Sequence, residues 1–190
     1  MKQKQIEDYE VNSCTMFIQP VEYGSKTYSL IYEVEDEFLS PVKPLEIIKN
    51  SCDYFGANYE SRKRGSRKII GNKRKVPIMI ESTNHLFFFP TISPNSKECI
   101  WISHEHVENY IRIGPHQTLI TFQNKQSHHF QVPYSTIEHQ MLKTSLLKTK
   151  ILQRIEKNER KLFYFLNRTK LSHTSESSHK YDSDFYVKDK

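Results

Sequence analysis

Apolar and polar positions alternate with a period of two over residues 26–38, where Tyr28, Leu30, Tyr32 and Val34 interleave with Thr27, Ser29, Ile31, Glu33 and Glu35. That is the spacing of a half-buried strand. Residues 9–19 carry a looser version of the pattern, and the intervening Pro20-Val21-Glu22-Tyr23-Gly24-Ser25 predicts a hairpin whose loop exceeds two residues. Pro44 then opens a three- and four-residue recurrence of Leu45, Ile48, Cys52 and Phe55 closed by Gly56. This predicts a helix of about three turns that ends in a left-handed glycine. From Val76 the strand signal returns in Pro77-Ile78-Met79-Ile80, a turn at residues 81–84, and Leu86-Phe87-Phe88-Phe89-Pro90. The last run suits a strand covered on both faces.

Cys99-Ile100-Trp101-Ile102 predicts a further strand, residues 104–111 fit a helical turn or a strand, and residues 118–122 and 127–132 predict a second hairpin. After Pro133, Ser135-x-x-Glu138 has the form of a capping box. It opens an amphipathic helix with a stripe of Leu142, Leu146, Ile151 and Ile155, widened by Leu147 and Leu152. A second helical stretch holding Leu162, Phe163, Phe165 and Leu166 is expected after Asn158, and a mobile tail from residue 171. The expected class is α+β: a β-rich N-terminal two-thirds with one inserted helix, then C-terminal amphipathic helices and the tail. The corresponding division is a core of residues 1–133, a helical part of 134–170 and a tail of 171–190.

Composition adds little to this until charge is located. The chain has 190 residues, 36% hydrophobic and 12% aromatic, enough for one sizeable core. No apolar run approaches the roughly 20 residues of a bilayer-spanning helix, and Ile6-Glu7-Asp8-Tyr9 follows the N-terminus where a secretory signal would be apolar. A cytoplasmic protein is expected. Net charge is +6, from 28 Lys plus Arg against 22 Asp plus Glu. Between residues 62 and 75 stand Arg62, Lys63, Arg64, Arg67, Lys68, Lys73, Arg74 and Lys75 with no acid among them, so the rest of the chain is slightly acidic. One dense positive segment suits a polyanion: nucleic acid first, an anionic membrane surface second, an acidic protein third. Gly65 and Gly71 favour a loop or strand pair here over a single helix, and Asn58 and Tyr59 stand close enough to join a DNA contact.

Other chemistry finds weaker support. Cys14, Cys52 and Cys99 are an odd, widely spaced set, expected as reduced thiols filling core space. Cys99, His104 and His106 could approach a metal, since His-x-His on a strand shares a face, but a tetrahedral site needs a fourth ligand. No metal or other cofactor is expected. There is no G-x-S-x-G and no phosphate-cradling glycine loop, so no enzyme activity is expected. A basic interaction protein that docks an acidic partner without reading DNA is the alternative to a nucleic-acid binder.

Specific residues then carry a resemblance. Lys43-Pro44-Leu45, Ser51-Cys52-Asp53-Tyr54-Phe55-Gly56, Tyr59, Arg62-Lys63 with Gly65, Pro77-Ile78-Met79-Ile80, Leu86-Phe87-Phe88-Phe89-Pro90-Thr91 and Cys99-Ile100-Trp101-Ile102-Ser103-His104-Glu105-His106-Val107 together resemble the competence transcription factor family ComK of Gram-positive bacteria. The resemblance implies an activator of DNA-uptake genes that binds paired A·T-rich boxes through the minor groove. It also implies a homodimer that pairs into a tetramer on double-stranded DNA, RNA polymerase as a partner, and delivery to a Clp protease by the adaptor MecA. Lys75-Val76-Pro77-Ile78 departs slightly from the family's Lys-Pro-Pro-Ile. Residues 162–168 are the nearest counterpart of its adaptor-recognition stretch and lack the proline found there.

Overall fold

In a computed structural model, residues 4–71 and 74–177 are described, the side chains as far as residue 167. Lys73 and residues 178–190 of the expected tail lie outside the described residues, whereas residues 171–177, expected to begin that tail, are helical. The chain divides into two units, residues 1–150 and 151–190.

In the first unit the strands are β1 (Lys4–Gln5), β2 (Thr15–Tyr23), β3 (Lys26–Glu33), β4 (Glu37–Ser40), β5 (Ile78–Glu81), β6 (Leu86–Pro90), β7 (Trp101–Ser103), β8 (Val107–Gly114), β9 (Gln117–Phe122) and β10 (Ser127–Phe130). Between β4 and β5 lie α1 (Pro44–Tyr54) and α2 (Tyr59–Ile70), and α3 (Tyr134–Ser177) follows β10. Seven strands form one sheet in the order β1-β4-β3-β2-β7-β6-β5, and β10-β9-β8 form a smaller one. All pairings are antiparallel except β1 with β4. The fold is α+β.

Successive residues of the central strands point to opposite faces, and the large sheet therefore separates two cores. Ile18, Phe88 and Trp101 face Ile47, Ile48 and Cys52 of α1 and Tyr59 of α2. Their chain neighbours Phe17, Phe89 and Ile102 face Ile120, Phe122, Phe130 and, from α3, Ile137. Every residue of β6 is buried, as expected of a strand covered on both sides. Phe17 stacks on Tyr32 at 4.3 Å and on Phe122 at 5.2 Å between ring centres, so aromatic packing joins the two sheets.

Pro44 starts α1 and Gly56 follows it at φ +72°, as the pattern predicts. The second hairpin also forms, as β9 and β10. Four expectations are corrected. The loop of the first hairpin is only Gly24-Ser25, since Tyr23 pairs with Lys26 and β2 runs through Pro20. Proline is tolerated there because β7 pairs with β2 only at Phe17 and Ile18, leaving a single partner strand beside Pro20. Residues 26–38 split into β3 and β4 at a bend. Two helices are inserted, not one: the basic segment is mostly α2, whose exposed Gly65 stays helical while only Gly71 terminates it. The C-terminal part is one continuous helix that begins at Tyr134, which places Ser135 inside its first turn, and Glu138 accepts a hydrogen bond from the Tyr134 hydroxyl at 3.2 Å.

The second unit, as far as described, is the remainder of α3. Glu156 pairs with Arg160 one turn on, and Leu162, Phe163, Tyr164, Phe165 and Leu166 are each more than half exposed.

Candidate nucleic-acid interface

Local chemistry explains why the basic segment becomes a helix. Asn58, extended at φ −62° and ψ 137°, caps α2 by accepting a 2.8 Å hydrogen bond from the Glu60 N–H. At the other end Gly71 adopts φ +71° and donates its N–H to the Arg67 carbonyl at 2.9 Å. Arg67 and Lys68 in the last turn complement the negative end of the helix dipole. Burial of Tyr59 and Ser66 then fixes which side faces inward.

The helix distributes its five bases, Arg62, Lys63, Arg64, Arg67 and Lys68, by angle. Lys63 and Arg67, one and two turns after Tyr59, share a face and line a cleft of about 430 Å³. Arg74 and Lys75 enter it from the segment after the helix, with Ser93, Pro94 and Asn95 opposite, and no carboxylate lines it. Lys75 holds φ +45°, which turns the chain sharply into buried Val76. Lys63 Nζ lies 3.1 Å from Glu60 Oε1 and 5.3 Å from the centre of the Tyr59 ring, so it is held over the cleft edge by an ion pair and a cation–π contact.

The other bases lie elsewhere. Arg64 and Lys68 are exposed one turn apart on a neighbouring face of α2. Arg62 is half-buried, with no hydrogen-bond partner for Nε. It is close enough to Cys52 to oppose the burial that pushes that thiol up to about 12. The structure thus brings Lys63, Arg67, Arg74 and Lys75 together and does not bring Arg62, Arg64 or Lys68 to the same cleft. The Asn58 side chain is the helix cap. Tyr59, 4% exposed, packs edge-on against Trp101 at 6.4 Å and still reaches the cleft wall. Burial raises the Tyr59 hydroxyl well above the ordinary range and keeps it protonated.

The residues considered for a metal are engaged otherwise. His104 and His106 sit in a turn, not a strand, with Nε2 atoms 2.8 Å from Ser145 Oγ and from the Ser13 carbonyl respectively. Cys99 is buried, and burial pushes its thiol up to about 11. Among the described residues no group of three His, Cys, Asp or Glu side chains could hold a metal ion. Cys52 also fills core space as expected, whereas Cys14 is exposed.

Hydropathy patterning missed the contribution of α3. Thr136, His139, Gln140 and Lys143 fall on one face at the start of that helix and, with Arg74 and Lys75, line an adjoining cleft of about 390 Å³. Farther along, Lys150 Nζ donates a 3.1 Å hydrogen bond to the Ile69 carbonyl at the end of α2. Spacing of three and four residues from Thr136 to Lys143 is visible in the sequence, but only the fold sets it beside residues 74 and 75.

The two-sheet α+β chain that carries this basic cleft is a member of a known family. It belongs to the ComK protein family, whose profile matches residues 6–156 and so includes both clefts. One relative is the "Competence transcription factor" of Bacillus subtilis (strain 168), 36% identical over 151 residues, which is 80% of this chain and 79% of that protein. No solved structure matches the chain significantly. No helix among the described residues is long and apolar enough to cross a membrane.

Proposed function

We propose that this chain is a transcriptional activator of competence, the uptake of DNA, and that it binds double-stranded DNA through the cleft of Lys63, Arg67, Arg74 and Lys75. The observation that supports this most is the convergence of four cations, of which Lys63 is paired with a carboxylate, Glu60, at the cleft edge, in a chain 36% identical to a competence transcription factor. Phosphates neutralised there release counterions and give affinity without sequence preference. Preference comes from A·T-rich boxes, whose narrow minor groove attracts inserted cations, and the planar guanidinium groups of Arg67 and Arg74 suit that groove. In this proposal two or four copies bind adjacent boxes and recruit RNA polymerase, and the protein performs no catalysis. Delivery to a Clp protease through MecA belongs to the same proposal, with residues 162–168 as the contact.

Fluorescence anisotropy with a labelled A·T-box duplex and a random duplex, over a range of salt, tests the assignment. The A·T-box duplex should bind more tightly, and Lys63→Gln with Arg67→Gln should flatten the log–log salt slope by roughly 0.9 per lost phosphate contact. Arg64→Gln with Lys68→Gln should change it less. Equal binding to both duplexes, with no effect of the cleft variants, would overturn the proposal in favour of an acidic protein partner.

A further inference from the structure

The cleft at the start of α3 has the same chemistry as the first and shares two of its residues. Arg74 and Lys75 line both. The second adds Lys143 and His139 one turn apart, the Thr136 hydroxyl, and Gln140, and it too has no carboxylate in its lining. Gln140 is 1% exposed and donates from Nε2 to the Pro90 carbonyl at 2.5 Å, which ties this face of α3 to the central sheet. The position of Lys143 is therefore set by the fold. The residue is half-buried, and burial together with the Lys75 charge holds its ammonium below the usual lysine range. Two cations held within each other's field, with no acid among the described lining residues, have the charge that an anion complements.

We propose that this second cleft is a phosphate seat and that Lys143, with Arg74 and Lys75, grips the same nucleic-acid backbone as the α2 cleft. The inference rests on the proposed DNA contact and extends it: the polyanion passes from α2 over the turn at residues 74–75 to the first turns of α3. Because that turn serves both clefts, one strand can occupy them at neighbouring phosphates. The Gln140 tie fixes the backbone that carries Lys143 before binding, which limits the ordering required when the anion arrives to the side chains.

The test uses the full chain and a labelled duplex, with affinity measured against salt for the natural protein, Lys143→Gln, Lys143→Arg, and Lys63→Gln with Arg67→Gln. Lys143→Gln should weaken binding roughly three- to tenfold at physiological salt and flatten the slope by about 0.9, one phosphate's share. Lys143→Arg should restore both. Lys143→Met, which keeps the aliphatic stem, should reproduce the slope of Lys143→Gln, and neither should melt below the natural protein, because the charge removed is one that burial disfavours. A Lys143→Gln slope equal to the natural one, alongside a flattened slope for the α2 double variant, overturns the second seat and leaves the DNA contact standing. Salt-independent binding by the natural protein overturns both.

Discussion

Histidines show how burial writes a pH response into single residues. The imidazoles of His104, His106 and His128 are all held below the usual histidine range, in each case chiefly by burial. Lys148 adds repulsion at His104, while Glu105 pulls the other way at both His104 and His106. Burial by itself would raise Glu105, but the hydrogen bond and charge of Lys148 overcome it and keep that carboxyl low. His128 sits edge-on to Phe17 at 4.9 Å and to Tyr32 at 5.0 Å, where a charge would be poorly solvated. The unfolded chain, with imidazoles near pH 6.5, takes up these protons more readily than the folded one. Stability is therefore complete above about pH 6.5 and declines as pH falls below it. Urea midpoints at pH 7.5 and pH 5.5 should differ in that direction, and His104→Gln with His128→Gln should shrink the difference. The carboxylates Glu81 and Glu105, held low, titrate below this window and do not mask it.

Helix α2 places two glycines in opposite roles. Gly65 is in the exposed helix interior, where a methyl group would meet nothing within 4 Å, so Gly65→Ala should stabilise the protein by about 0.5–1 kcal/mol. Gly71 also has open space around it but holds φ +71°, so Gly71→Ala should cost about 1–2 kcal/mol. Thermal melts should show midpoints moving in opposite directions, by about 2–4 °C per kcal/mol for a chain of this size. The same two residues mark what the sequence could convey about this element. A glycine in a run of bases is ambiguous, because helix propensity disfavours it by about 1 kcal/mol and tertiary packing routinely overrides so small a term. Asn58 as a cap and Tyr59 and Ser66 on one inward face were present in the sequence, yet the ring against which Tyr59 packs, Trp101, comes from a distant strand. The alternation of β3 made it legible as a strand but not its burial, since Ser29, Leu30 and Ile31 are all buried and its centre is covered on both faces, whereas for the buried run of β6 period and side-chain type agreed. The second cleft was not, since Lys143 meets Lys75 only through the fold.

For the whole molecule, the decisive fact is where buried side chains stop. The first core draws on residues up to Trp101 and the second on residues up to Ile137, and Leu147 is the last fully buried hydrophobic residue among those described. A chain ending at Lys150 should keep its cooperative melt and its salt-dependent affinity for duplex DNA. Leu162, Phe163 and Tyr164 are consecutive and each more than half exposed, apolar surface of the kind that a second copy covers in an assembly. The shortened chain should therefore sediment at a lower mass than the full chain at equal concentration. Equal masses would remove the second unit from assembly.

The all-buried strand β6 has a consequence for folding. A strand with one wet face knows its register, because a slip of one residue turns its apolar side to water. Phe87-Phe88-Phe89 has no wet face, and a slip would exchange one phenyl group for another in both cores with little hydrophobic penalty. Alignment has to come from the turn before it. There the Glu81 carboxylate accepts hydrogen bonds from the Thr83 and Asn84 N–H groups, each at 2.6 Å, and His85 takes φ +55°. Four residues at the surface thus act as the index mark for the most hydrophobic strand in the protein, and errors made at that turn would be carried to both sides of the sheet.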